Sequence, residues 1–429
     1  MSILYNIDLL SDKQREKIHD ELIIKIESNK YNPFAPKKEI YPYEIKNNYI
    51  SLPFSYSVTE LDMKRKLRES YPEMSVKFEG VLREEQKEIR KESISSLSKT
   101  GSVVISLYTG GGKSITALAL ACHIKLKTLI IVNKVVLINQ WENSIKQFCP
   151  TAKINKLLPK SKFDDEADFY IINAVNMCSK DVGYFDSIGC VIVDEIHLIM
   201  AETLSKSLFY VFPRYMIGLS ATPYRTDGLD PLLDFYFGSN KIVRELRREH
   251  IVYKVKTGFT PKVEMASNGK VNWGVVLDSQ SNDRDRNELI ISIAKEYSDR
   301  NILIMSKRIE QAQYIFNRLE EEGELVTNLI GKKQEFDKEA RILVGTTAKT
   351  GTGFDHQKLD CLILASDLEN YFIQVLGRVL RRPDVKPIVF DLVDENRILE
   401  KHYKTRKEVY TEIGGTIIDF DKRHKKILK

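Results

Sequence analysis

The sequence predicts an α/β protein with two tandem RecA-like parallel-sheet domains behind a small N-terminal accessory domain. Three observations carry this. Short Val/Ile-rich runs alternate with helix-period stretches, in two successive series. A Gly-Gly-Gly-Lys-Ser turn follows the first run of the first series, and an Asp-Glu-Ile-His tetrapeptide follows a later one. Apolar runs of four to six residues without alternation are strands buried on both faces, which is the signature of a parallel sheet covered by helices.

Residues 1–80 are rich in Lys, Tyr and Glu, with prolines at 33, 36, 42, 53 and 72 that break any long helix. They predict an accessory domain, helical over DKQREKIHDELIIKI and extended around YISLPFSYSV. Its aromatic residues Tyr41, Tyr43, Tyr49, Phe54 and Tyr56 read as a small core in preference to a base-stacking surface. The first α/β domain spans 81–240, with strands at 103–107, 128–132, 169–172, 190–194 and 216–220. The second spans 241–419. It opens with a β-rich connector over 241–285, in which Asn268-Gly269 suits a hairpin turn. Its strands are expected at 301–305, 325–331, 341–345, 360–365 and 387–393. Residues 420–429 form a basic tail with five Lys/Arg against one Asp.

Composition narrows the function classes. Of 429 residues, 42% are hydrophobic and 29% charged, as in ordinary globular proteins. The formal net charge of +6 is small, and most of it sits in the tail, where it suits a polyanion. Five cysteines with no CxxC or Cys/His spacing argue against a zinc module or a disulfide scaffold and for a reducing compartment. No secretory leader and no 18-residue apolar run is evident, so no membrane partner is expected.

The turn YTGGGKS, residues 108–114, predicts nucleotide binding. Gly110, Gly111 and Gly112 let backbone N–H groups close on phosphate oxygens, aided by the following helix N-terminus. Lys113 would neutralise the β- and γ-phosphates and Ser114 would ligate Mg²⁺. Leu107 stands where the first glycine of the usual GxxxxGK[ST] pattern would be. Asp194, ending a buried strand 81 residues after Lys113, suits an Mg²⁺-associated carboxylate, and Glu195 can deprotonate an attacking water. His197, which alone would be an ordinary packed histidine, completes the tetrapeptide. Ser220 and Thr222 in GLSATPYRTDG offer hydroxyls at a strand end, although by themselves they read as a Ser/Thr turn before Pro223. In the second series, TTAKTGTGFD (346–355) forms a Gly-rich loop. QVLGRVLRR (374–382) spaces Gln374, Arg378 and Arg381 at i, i+4 and i+7, so one helical face would carry all three. With a phosphate-binding turn upstream, these arginines suit fingers directed at a γ-phosphate.

The ordered set LREEQ (82–86), YTGGGKS, VNKVVLINQW (132–141), DEIH, GLSATPYRTDG, MSKRIEQA (305–312), TGTGFD and QVLGRVLR resembles a superfamily 2 helicase. Within that superfamily it is most similar to the XPB and UvsW-like branch, near the poxvirus-type transcript-release helicases of large DNA viruses. The resemblance covers about residues 81–395. It implies an ATP- and Mg²⁺-dependent motor in which Gln86 reads adenine. Thr109, Gly110, Gly111, Gly112, Lys113 and Ser114 hold the phosphates, with Gly353 and Asp355 also on the nucleotide. Ser114 and Asp194 serve the metal, and Glu195, Gln374, Arg378 and Arg381 promote hydrolysis. His197, Ser220 and Thr222 couple hydrolysis to movement. Asn133 and Lys134 in the first domain, with Thr346 and Thr347 in the second, would touch the nucleic-acid backbone; Asn133 departs from a common Pro. The implied track is DNA, with 3′-to-5′ movement. RNA unwinding, branch migration of duplex DNA and an ATP-gated scaffold without unwinding are the alternatives. Transcription or replication proteins are the implied protein partners. The cytoplasm, nucleus or viral factory is the expected location, with the virion a further one.

Overall fold

The computed structural model describes residues 2–26, 38–108, 110–177, 179–180, 183–200, 208–209, 211–221, 229–267, 269–333, 335–350, 356–368, 372–382 and 384–420, with the backbone alone at 26, 38, 373 and 374. The chain divides into two compact units. One comprises Met1–Leu107 and Gly111–Arg244, and the other comprises Glu245–Lys429, with which Tyr108–Gly110 group.

The first unit begins with β1 (Ser2–Asn6), β2 (Ile24–Ile26), β3 (Lys38–Ile40), β4 (Glu44–Lys46) and β5 (Tyr49–Pro53). Strands β1, β5 and β4 form a small antiparallel sheet, and β2 pairs with β3. Between β1 and β2 runs the helix Asp12–Glu21, whose N-cap Ser11 and Gln14 form a reciprocal capping box. The extended stretch expected over YISLPFSYSV stops at Pro53, and Phe54–Thr59 is helical. Packing overrides β-propensity there: Phe54 is fully buried in the core of the following parallel sheet, while Tyr56 joins Leu10, Ile18, Leu22 and Leu52 in a local cluster.

That parallel sheet contains β6 (Ser102–Leu107), β7 (Thr128–Val132), β8 (Ile154–Leu157), β9 (Phe169–Asn173), β10 (Cys190–Val193), β11 (Tyr215–Ser220) and β12 (Lys241–Arg244), in the order β12-β6-β11-β10-β7-β9-β8. Side chains alternate across it. Val104, Leu129, Ile131, Val191 and Val193 enter one core, while Val103, Ile105, Ile130, Ile192 and Ile217 enter the other. Uninterrupted apolar runs are therefore what this sheet requires.

The second unit repeats the plan with β13 (His250–Lys256), β14 (Ile302–Ser306), β15 (Val326–Leu329), β16 (Ile342–Thr346), β17 (Cys361–Leu364), β18 (Ile388–Val393) and β19 (Gly415–Asp419), ordered β15-β16-β14-β17-β18-β13-β19. Every pairing in both large sheets is parallel. The start of the expected connector is resolved differently: Lys241–Arg244 is an edge strand of the first sheet, and His250–Lys256 is an interior strand of the second. A turn does form near Gly269, where Ala266 N donates to Lys270 O at 2.7 Å beside a single bridge between Met265 and Val271; Asn268 lies outside the described residues.

Candidate active site

In the first unit the predicted chemistry gathers at the carboxyl ends of β6, β10 and β11, where open parallel sheets place their ligands. After Leu107 the chain turns through Gly110 (φ 88°) and Gly112 (φ 83°) into the helix Lys113–Ile124. The left-handed backbone at Gly112 favours glycine, and a Cβ there would displace the Gln86 side-chain amide. Gly112 is the N-cap and supplies no side-chain cap. The first helical N–H groups are thus presented for an anion. Lys113 folds back across the turn, its Nζ donating to Leu107 O at 2.9 Å. Ser114 is half-buried one residue on, and Thr109 lies outside the described residues.

Gln86, 2% exposed, joins the upstream helix Glu84–Lys99 to this turn. Its Oε1 accepts from Arg83 N at 2.9 Å, and its Nε2 donates to Gly112 O at 3.4 Å. The structure therefore places the glutamine expected to read adenine directly against the Gly-rich turn expected to hold phosphates.

Asp194 follows β10 and is 8% exposed. Its Oδ2 accepts from Trp141 Nε1 at 2.9 Å and its Oδ1 from Glu195 N at 3.0 Å. Burial, followed by the adjacent Glu195 charge, pushes its carboxyl up from 3.8 to about 6, against the opposing pull of Trp141 and Lys113. Glu195 occupies the left-handed region at φ 51° and starts the short helix Ile196–Ile199. Its Oε2 is 3.5 Å from His197 Nδ1, and that nitrogen is 2.9 Å from Ser220 Oγ at the end of β11. A carboxylate, an imidazole and a buried hydroxyl thus link the end of one strand to the end of its neighbour. Thr222 lies outside the described residues.

These residues fit Mg²⁺ bound with a nucleotide. Among the described residues no group of three or more His, Cys, Asp or Glu side chains could hold a metal unaided. Magnesium in phosphate sites instead keeps waters and phosphate oxygens and takes one or two protein ligands. The buried, charge-averse Asp194 and the Ser114 hydroxyl are of that kind. When bound, the ion neutralises charge on the β- and γ-phosphates.

Asn133 and Lys134 follow β7. Lys134 is exposed at the N-cap position of the helix Val135–Phe148, and the Asn133 Oδ1 is buried without a hydrogen-bond partner. In the second unit Thr346 ends β16 and is 5% exposed, while half-buried Thr347 begins a single helical turn closed by Thr350 Oγ1 donating to Thr346 O at 2.8 Å. Gly353, Asp355 and the Gln374 side chain lie outside the described residues. Arg378 is 7% exposed on the helix Phe372–Val379. Arg381 does not share that helix, which ends two residues before it. The i+7 spacing therefore does not place Arg381 on the face of Arg378. Pro383 supplies a reason, because a proline disfavours helical backbone just before it.

Two buried pairings escaped the sequence reading, one at the site and one in the core of the second unit. Trp141 is buried in the core at 2% exposure, and its indole N–H also anchors Asp194. The signal was available: a buried tryptophan needs an acceptor, and β10 lies beside the strand that precedes its helix. Arg286, within NDRDRN, is fully buried; its Nε meets Asp394 Oδ1 at 2.8 Å, and the same carboxylate takes Thr257 Oγ1 and Gln280 Nε2, each at 2.6 Å. Arg286 also donates to Ala365 O, so one guanidinium ties together the chain following β17 and β18.

Comparison with known proteins agrees with this arrangement. The family described as "Type III restriction enzyme, res subunit" (ResIII) matches residues 79–225. The chain is 42% identical to "Putative helicase 161L" of Invertebrate iridescent virus 6, over 98% of this chain and all of that protein. It is 31% identical to "Putative helicase 055L" of Frog virus 3, covering 78% of this chain and 79% of the other. It is also 23% identical to "DNA 3'-5' translocase XPB2" of Sulfurisphaera tokodaii, covering 81% and 90%. The protein belongs to the superfamily 2 helicases found in large DNA viruses, ATP-hydrolysing enzymes that act on nucleic acid.

Proposed function

We propose that this enzyme is a DNA motor that moves 3′ to 5′ and serves transcription, repair or recombination of a DNA virus, in the cytoplasm, nucleus or a viral factory. The observation that carries the reading is the Glu195–His197–Ser220 chain beside the phosphate-binding turn. Lys113 and the uncapped helix N-terminus hold the phosphates of ATP. Asp194, kept in place by Trp141, and Ser114 serve the Mg²⁺. Glu195 accepts the proton of the attacking water, and the change of charge at its carboxylate acts on the His197 Nδ1 that also meets Ser220. Arg378 and Arg381 act on the γ-phosphate during hydrolysis, as the family resemblance implies. Asn133, Lys134, Thr346 and Thr347 hold the backbone of the track, which makes binding nearly indifferent to sequence and sensitive to salt.

DNA is favoured because the name of the archaeal relative specifies a DNA translocase. RNA is the second reading, favoured by a relative in Acanthamoeba polyphaga mimivirus, named an ATP-dependent RNA helicase, that is 26% identical over 95% of this chain. The deciding experiment is steady-state ATPase with single-stranded DNA, duplex DNA, a branched junction or RNA, using Glu195→Gln as the control. DNA stimulation that disappears in the variant supports the proposal, and stimulation by RNA alone overturns it. Displacement of a block from either end of a single strand then fixes polarity.

A further inference from the structure

The opposite edge of the first sheet carries a cluster of cations that the ATPase chemistry does not use. Between the N-terminal domain and the helix Glu84–Lys99 runs the segment MKRKLR, residues 63–68, with no regular structure up to Leu67. Burial alternates along it: Leu61 and Met63 are buried and Arg65 is half-buried, while Lys64 and Lys66 are exposed. Two exposed lysines on the same side of an extended chain stand about 7 Å apart.

The surroundings hold this segment firmly. Arg65 donates from Nη1 to Leu97 O at 3.3 Å and from Nη2 to Ser98 O at 3.2 Å, at the carbonyl-rich end of the helix that follows. Arg214 donates to Lys66 O. The guanidinium carbons of Arg65 and Arg214 each lie 5.6 Å from the centre of the Tyr215 ring, and Lys66 Nζ lies 5.5 Å from that of Phe212. Lys99 is exposed beside the carbonyls that Arg65 caps. Among the described residues, none of Lys64, Arg65, Lys66, Lys99 or Arg214 forms an ion pair with a carboxylate. Arg68 does, with Glu73. Burial and the charge of Arg214 hold the Arg65 guanidinium below its usual value, as expected of like charges gathered without a counter-ion.

This cluster is remote from the nucleotide. Tyr215 begins β11 and Ser220 ends it, a rise of about 17 Å at ~3.3 Å per residue. The cations stand at the amino end, and the catalytic chain at the carboxyl end.

We propose that Lys64, Lys66 and Lys99, braced by Arg65 and Arg214, form a second binding surface for the phosphate backbone of nucleic acid, engaging a segment other than the one gripped at the carboxyl edge. The arginines already cover Tyr215, so this surface offers charge and no base stacking; it recognises phosphates irrespective of sequence. The proposal rests on the nucleic-acid motor reading, and its test separates the two.

Binding of duplex DNA to the full chain is followed by fluorescence anisotropy across a salt series, for wild type, Lys64→Ala/Lys66→Ala and Lys64→Arg/Lys66→Arg. The alanine pair is expected to lower the slope of log K against log salt by about two, at ~0.9 per phosphate contact. Wild type then loses about 12-fold more affinity than the alanine variant between about 50 and 200 mM salt. The arginine pair keeps the wild-type slope, and all three share the same ATPase rate without nucleic acid. A wild-type slope in the alanine pair overturns the second surface, including the case in which these lysines serve an acidic protein. Failure of wild type itself to bind any nucleic acid would instead overturn the motor reading.

Discussion

Asp194→Asn tests whether the carboxylate proposed to serve Mg²⁺ is held in the protein at a cost. Its carboxyl is 8% exposed and is pushed up from 3.8 to about 6 by burial and by Glu195. Between those values the folded chain keeps a proton that the unfolded chain has released. Stability therefore falls as pH rises through this window, and the penalty is constant above it. At about 1.36 kcal/mol per pH unit the full penalty is about 3 kcal/mol. Asparagine has no proton to lose, so the variant escapes this term. It incurs another, because one amide oxygen replaces two acceptors and either Trp141 Nε1 or Glu195 N then faces an NH₂ group. That mismatch costs about 1–3 kcal/mol at every pH. The variant should be the less stable protein near pH 4, and should equal or exceed wild type near pH 7, while hydrolysing no ATP. Urea unfolding of both proteins in EDTA, without nucleotide, from pH 4 to 8 measures the difference directly. A gap between the two that is flat across this range, or that moves against the variant as pH rises, would refute the assignment of a buried charge at this position.

Other outcomes follow from the same geometry. Lys113→Ala should abolish tight ATP binding in a fluorescent-nucleotide titration, and retained hydrolysis would sink the phosphate-binding assignment. Arg378→Ala should lower kcat on the order of 10³-fold while leaving nucleotide affinity nearly intact; an equal loss of both would mean structural damage. Arg286→Leu leaves the Asp394 charge buried without its cation, held only by Thr257 and Gln280, and should destabilise the second unit by about 3 kcal/mol in thermal unfolding. A loss under 1 kcal/mol there would show that the buried pair contributes little.

Strands buried on both faces were legible because nothing but apolar residues can occupy them. All ten runs predicted for the two large sheets are strands, from Ser102–Leu107 to Ile388–Val393. The four not foreseen as strands of these sheets break that pattern. Ile154–Leu157, Lys241–Arg244 and Gly415–Asp419 lie at sheet edges, where partial exposure admits Asn, Lys, Arg and Thr. His250–Lys256 is interior, yet carries Lys254, whose ammonium lies 4.8 Å from the centre of the Tyr403 ring. Within the site, motif spacing indicated Lys113, Asp194, Glu195 and His197, because their chemistry depends on neighbours in sequence. Trp141 acts on Asp194 across 53 residues and Arg286 on Asp394 across 108, and such partners are set by strand order, which no local pattern encodes.

The seating of Phe54 in the core beneath the parallel sheet bears on how this enzyme can be dissected. Cutting the chain at residue 80 to isolate a minimal motor would strip away Phe54 and the Ser2 contacts, where Ser2 N donates to Val211 O at 2.9 Å and Ser2 Oγ to Leu208 O at 3.3 Å. The shortened protein would expose a greasy scar on its ATPase lobe and aggregate before it could be assayed. Point substitutions on the outer face of the N-terminal domain, at Tyr41 or Tyr49, leave that seal unbroken and are the practical route to learning what the domain contributes.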